Sequence, residues 1–267
     1  KPRLPVKRSP ELSPMQPPPI SQAEIEARIS SHLSELLDLW WAEQGVSKPR
    51  DLQLIASVLP FPRSQALRVL DLCCGPGDVG RAIRHEFPKA QIDCVDRDPF
   101  LTSICAGVNR RDQVPGKVIV ADLTDNAWRD GLPGEYDVVA VVNALHWFDI
   151  PRTEQLMRTV HGLLHSGGVF VFAEPVAAEA LFAAGFEAWK AKQPPRYSRE
   201  NWERFWSRAN EVLGYDPTKL WEPRQASRID DGMTVAGWVR LLQVAGFARP
   251  DVLFRDADQV IVAAMRS

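Results

Sequence analysis

The densest run of chemistry-bearing residues is Val69-Leu70-Asp71-Leu72-Cys73-Cys74-Gly75-Pro76-Gly77-Asp78-Val79-Gly80. A hydrophobic strand runs into a turn of small residues and then a helix start, a geometry in which a ligand can approach bare backbone at a helix N-terminus. Gly75-x-Gly77-x-x-Gly80 has the dinucleotide-binding spacing, and Asp96, at the end of the next strand, has the place of an acid that binds an adenosine ribose. Two other carboxylates point elsewhere. Asp71, inside the strand end, would repel a pyrophosphate but can meet an ammonium directly or through water. Asp122, in Ala121-Asp122-Leu123, can accept from an adenine amino group while Leu123 covers the ring. An amino-acid end joined to adenosine describes S-adenosylmethionine better than NAD.

Further along, His146 follows the fourth strand at the edge where ligands bind in open α/β sheets. It is a candidate general base near neutral pH; alternatively His146-Trp147-Phe148 floors the pocket. Glu174, ending the fifth strand, is a pocket candidate, or else a cap or ion-pair partner of Arg196 or Arg199. Trp189, Tyr197, Trp202, Trp206 and Trp221 could line an aromatic lid, although the Trp202/Phe205/Trp206 spacing also suits a helix core. Trp147, Glu174, Tyr197, Trp202 and Trp206 are the candidate acceptor contacts. Cys73 and Cys74 read as small packing residues of the turn rather than redox thiols.

The elements that must position these groups follow from periodicity. Short β-branched runs at Arg68–Leu72, Gln91–Val95, Lys117–Ala121, Tyr136–Val142 and Gly168–Ala173 alternate with helical stretches at 78–87, 99–109 and 152–164, with a weak helical signal near Trp128. This alternation predicts βαβ units and a mostly parallel sheet covered on both faces. Upstream, Ser21 and Glu24 make a capping box for an amphipathic helix over 22–44 ended by Gly45, and a short helix follows at about 50–59. Residues 176–229 read as a Trp-rich helical insertion, after which come a helix at 234–245 and strands at about 251–255 and 259–265 around a tight turn.

Composition narrows the class. The chain has 267 residues with 45% apolar and 25% charged residues, enough for one large α/β domain that needs no metal or disulfide to hold its core. A net charge of −2 argues against a generic nucleic-acid or membrane-surface binder, and no apolar run approaches the length of a membrane span. The four cysteines, Cys73, Cys74, Cys94 and Cys105, lack CxxC or metal-ligand spacing, so no metal site and a reduced, cytoplasmic setting are expected. Residues 1–20 hold seven of the 22 prolines (in KPRLPVKRSPELSPMQPPPI) and are expected to form a basic tail, linker or disordered segment outside a domain spanning 21–267. Within that domain, 21–62 would form covering helices and 176–229 a lid.

The run VLDLCCGPGD, followed by CVDRDPFL, VIVADL and YDVVAVVNALHWFD, resembles the class I S-adenosylmethionine-dependent methyltransferases. LLHSGGVFVFAEP and LLQVAGFARPDVLF look like the family's last parallel strand and terminal hairpin. Within the family, DLCCGPGD is similar to the quinone C-methyltransferases and NALHWFD to the trans-aconitate methyltransferase small-molecule group. The resemblance covers roughly residues 33–266, interrupted at 176–229, and implies a doubly wound, Rossmann-like sheet of seven strands with a C-terminal antiparallel hairpin. It implies that Asp71 and the Cys73–Gly77 backbone, with Gly75 in it, hold the methionine end. Asp96 would take the ribose hydroxyls, Arg97 would lie beside the adenine, Asp122 and Leu123 would take its edge, and Asn143 would lie beneath the methionine. Cys73 stands where the family usually has its first glycine, a substitution that fits if φ there stays negative. The expected activity is methyl transfer to the oxygen or carbon of a small apolar or aromatic acceptor. The alternatives are a cofactor-binding relative without transfer, serving in regulation or scaffolding, and a protein or tRNA methyltransferase.

Overall fold

The computed structural model describes residues 18–44, 47–193, 198–220 and 232–267. Gly45, the expected helix stop, and Arg196, Tyr197 and Trp221 lie outside the described residues.

Ser21 caps α1 (Gln22–Ile29) by accepting the Glu24 N–H, but the reciprocal half of the capping box is not made, because the Glu24 carboxylate pairs with Arg28 at 2.6 Å. The expected helix over 22–44 is broken by a single 3₁₀ turn at Ser30–His32 before α2 (Leu33–Gln44). α3 (Ser47–Ser57) follows, and then the alternating region: β1 (Arg68–Leu72), α4 (Asp78–Glu86), β2 (Gln91–Asp96), α5 (Pro99–Arg111), β3 (Val118–Val120), β4 (Tyr136–Val142), α6 (Ile150–Leu163) and β5 (Leu164–Pro175). The weak helical signal near Trp128 is a 3₁₀ turn, Asn126–Arg129. α7 (Ala183–Lys190), α8 (Arg199–Leu213), α9 (Val235–Val244), β6 (Ala248–Asp256) and β7 (Gln259–Met265) complete the chain.

Seven strands form one sheet in the order β3-β2-β1-β4-β5-β7-β6. β1 to β5 run parallel, and β7 lies antiparallel between β5 and β6. β5 begins four residues earlier than its apolar run, through an irregular pairing in which Tyr136 faces Leu164 and Val138 faces Val169. Both faces are covered. Alternate strand residues such as Val69, Val138 and Val171 pack with Ile55 of α3 and Ile83 of α4 on one side. Leu70, Val139 and Phe170 pack with Met157 of α6 and Trp238 of α9 on the other. This two-sided burial accounts for the near-continuous apolar runs of β4 and β5.

A third apolar cluster lies away from the sheet. Ile25 of α1, Leu36 and Trp40 of α2, Phe100 and Ile104 of α5, and Phe205, Trp206 and Leu213 of α8 form it. α8, from the inserted segment, is thereby fused to the N-terminal helices. The i, i+4 pair Trp202/Trp206 serves this packing: Trp206 is buried, 5.9 Å from Phe100, with Trp202 half-buried against it at 5.4 Å. Expected as acceptor contacts, these two rings are instead core residues of the α1–α2–α5–α8 cluster. No helix among the described residues is long and apolar enough to cross a membrane.

Candidate functional site

Strand order reverses between β1 and β4, and the sequence-predicted site residues lie at the C-terminal edge around that point. A belt of partly exposed residues borders the buried strands there: Cys73 after β1, Asp96 and Arg97 at β2, Ala121–Leu123 after β3, and Asn143 and His146–Phe148 after β4. This belt is the candidate cleft.

The glycine loop is built differently from the sequence expectation. Cys73 has φ +52°, so a side-chain-bearing residue holds the left-handed conformation where negative φ was expected, at a cost of about 1–2 kcal/mol. The rest of the turn is buried. Gly77, at φ +84°, caps α4, and a Cβ there would lie 2.7 Å from the Cys105 sulfur. Gly75 lies under the Trp40 ring. Gly75 and Gly77 therefore shape the loop from behind, and Cys73 is its only residue open to the cleft.

Asp71 is 1% exposed, and its Oδ2 accepts the Gly80 N–H at 3.0 Å. The side chain is enclosed in this conformation and fixes the start of α4 from beneath. Burial pushes its carboxyl well above the usual range, with Cys105 adding to the rise. Sequence reading missed Asp78, which anchors the same turn. Its carboxylate accepts from Trp40 Nε1 at 2.7 Å and pairs with Lys48 at 3.0 Å and Arg81 at 2.6 Å. Burial alone would raise the Asp78 carboxyl, but Lys48, Arg81 and the Trp40 donor together hold it below the ordinary range.

Asp96 is half-buried at the cleft, with Oδ2 accepting the Gly75 N–H and Oδ1 the Asp98 N–H, both at 2.9 Å. Each oxygen keeps a second lone pair for a hydroxyl donor. Burial raises this carboxyl, an effect the two N–H donors and Arg97 partly offset. Asp122 turns its own loop, its Oδ1 accepting the Thr124 N–H and hydroxyl. Leu123 packs against the apolar cluster beside it. Asn143, exposed and at φ +54°, is steadied by Gln259, whose Nε2 donates to its Oδ1 at 2.8 Å.

His146 and Glu174, read separately from the sequence, form one unit. Glu174 is fully buried; Oε1 accepts the N–H groups of Ala144 at 2.7 Å and Leu145 at 2.6 Å, while Oε2 lies 2.8 Å from His146 Nδ1. An acceptor-only carboxylate there requires Nδ1 to carry a proton, which leaves Nε2 basic when the ring is neutral. Glu174 therefore positions His146 and caps the start of the Leu145–Trp147 turn, while Arg199 pairs with Glu203 at 2.8 Å. The His146 side chain is 21% exposed, with the Trp147 ring 5.6 Å away.

The belt thus holds a half-buried acid with spare acceptor capacity at β2, a second acid and an apolar side chain after β3, and polar groups after β4. The sheet order and two-sided helical cover are those of a doubly wound, Rossmann-like domain. Residues 69–168 match the family described as methyltransferase domain. The trans-aconitate 2-methyltransferase of Variovorax paradoxus is 28% identical over 48% of this chain and 45% of that protein. Its Streptomyces avermitilis counterpart is 31% identical over 46% of this chain and 44% of that protein. The chain thus spans less than half the length of these relatives. An O-methyltransferase family protein from Burkholderia thailandensis has the same fold, with a TM-score of 0.56 at 16% identity over 82% of this chain and 56% of that one. Human N-acetylserotonin methyltransferase, solved with S-adenosylmethionine, has a TM-score of 0.52 at 16% identity over 90% of this chain and 56% of that one. Residues 69–168 thus resemble a methyltransferase domain, and the fold is shared with S-adenosylmethionine-dependent methyltransferases.

Proposed function

We propose that this chain methylates a small acceptor at an oxygen or carbon that must first lose a proton, such as a phenol, enol or carbon acid. The observation that carries this reading is the Glu174–His146 pair, a buried carboxylate holding an imidazole at the cleft with Nε2 left over. When bound, S-adenosylmethionine supplies a methyl group already activated on a sulfonium. The protein then has to align the partners, exclude water and remove a proton. Asp96 would accept from the ribose hydroxyls, Asp122 and Leu123 would flank the adenine with Arg97 nearby, and Cys73 and Asn143 would border the methionine end. His146 Nε2 would take the acceptor's proton while Trp147 limits the pocket. The helical cover formed by α1, α2 and α8 would restrict water access.

The trans-aconitate 2-methyltransferases that resemble this chain are named for an acceptor whose carboxylic acids are already anionic at neutral pH and need no base. Release of S-adenosylhomocysteine from a panel containing trans-aconitate, phenols and enolisable carbonyl compounds separates the two cases. Turnover of a protic acceptor that falls at least 100-fold in His146→Gln, at unchanged cofactor affinity, is expected. Turnover confined to carboxylates and indifferent to His146→Gln would overturn the assignment of a base.

A further inference from the structure

The four cysteines carry no metal-ligand spacing in sequence, yet the fold gathers three of them. Cys74 of the glycine loop, Cys94 of β2 and Cys105 of α5 are buried, with their sulfur atoms all within 4.8 Å of one another. Three sulfurs bound to one ion at about 2.3 Å in a trigonal plane lie about 4.0 Å apart, so inward shifts of about 0.5 Å would close this triangle on an ion. The surroundings suit thiolates. Asn109 Nδ2 lies 3.8 Å from the Cys105 sulfur and 4.0 Å from that of Cys94, as a donor to the ligand atoms. The Arg81 guanidinium and the Cys105 sulfur flank the same side of Gly77, which places a cation against the cluster.

We propose that Cys74, Cys94 and Cys105 form a three-thiolate site for one thiophilic divalent cation of the zinc or cadmium type. Binding releases three thiol protons to solvent and forms three metal–sulfur bonds. The site's charge becomes −1, opposite Arg81, with no change of oxidation state. Because the Cys74 carbonyl accepts the Gly77 N–H and the Cys74 N–H donates to Val95 O, the ion would tie the cofactor loop to β2 and α5. Nothing in this proposal requires methyl transfer, so its test is independent of that activity.

The test uses the full chain, freshly reduced, titrated with Cd²⁺ and followed by the thiolate-to-cadmium charge-transfer absorption. One Cd²⁺ per chain is expected, with affinity at least 30-fold lower in Cys94→Ser and in Cys105→Ser and unchanged in Cys73→Ser. Persistence of the band in the Cys94→Ser/Cys105→Ser double variant, or its absence from the wild type, overturns the proposal. Should the variants fail to fold, X-ray absorption of the wild-type cadmium form decides: three sulfur neighbours support the site, and a shell of oxygen and nitrogen refutes it.

Discussion

Replacing Glu174 tests how the cleft is held together. Glu174→Ala removes the acceptor for the buried Ala144 and Leu145 N–H groups, each costing about 1–3 kcal/mol when left unpaired, for a total of about 2–6 kcal/mol. At about 2–4 °C per kcal/mol for a domain of this size, the melting temperature falls by at least about 4 °C. Glu174→Gln behaves otherwise. Its carbonyl oxygen can take the place of Oε1 and serve both N–H groups, which puts the carboxamide NH₂ against His146 Nδ1. Nδ1 must then accept, and the imidazole proton moves to Nε2. Stability should remain within about 1–2 kcal/mol of wild type, while transfer to an acceptor that needs deprotonation falls about 10²- to 10⁴-fold. Long-range ¹H–¹⁵N spectra of the His146 ring read the tautomer directly: protonated Nδ1 in the wild type, protonated Nε2 in Glu174→Gln. An unchanged tautomer in Glu174→Gln, or an undiminished melting temperature in Glu174→Ala, would refute the reasoning.

Three other outcomes are expected. Gly77→Ala combines a left-handed φ with a contact of 2.7 Å on the Cys105 sulfur, so denaturant unfolding should show a loss of about 2–4 kcal/mol, whereas a neutral effect would show that the loop relaxes freely. Asp78→Asn leaves Lys48 and Arg81 facing a neutral group. Because the folded-state carboxyl titrates below its unfolded value, its contribution is present above the unfolded value and lost as pH falls through the folded one. The variant should therefore be destabilised at neutral pH and lose the part of the acid-limb slope that Asp78 supplies in the wild type, as equilibrium unfolding across pH can check. His165 Nε2 pairs with Asp137 at 2.9 Å, which raises the imidazole above its ordinary value. Its stabilisation is complete below the unfolded value and disappears as pH rises through the folded one, so melting temperatures of wild type and His165→Gln should converge on the alkaline side. A difference that widens with pH would contradict this.

The sheet was legible in the sequence because parallel strands buried on both faces write their own apolar runs, and β1 and β4 have the bounds those runs predict. β5 was read short because its first residues, Leu164 to Gly167, include His165, Ser166 and a glycine and pair irregularly. The belt of acids and amides at the strand ends was legible for the same reason, since strand ends place it. What lay hidden was side-chain direction. Asp71 and Asp96 both look like ligand acids, but one points under α4 and the other into the cleft. Glu174 and His146 are far apart in sequence and meet only through the pairing of β4 with β5. Trp206 looked like a lid residue because α8 was read without the partner helices that bury it. The thiol cluster needed β2, α5 and the loop to be assembled before any spacing existed to recognise.

Trp40 bears on how separable this molecule is. One ring from α2 lies over Gly75, donates to Asp78 at the start of α4 and packs 5.2 Å from Phe205 of α8. The helical cover and the glycine loop of the sheet thus share an indole, so they are not interchangeable modules. A chimera that takes its cover from another methyltransferase inherits a loop missing its brace unless an equivalent of Trp40 travels with the graft. Changes of acceptor preference acquired by exchanging the cover would then register first as altered affinity for the cofactor.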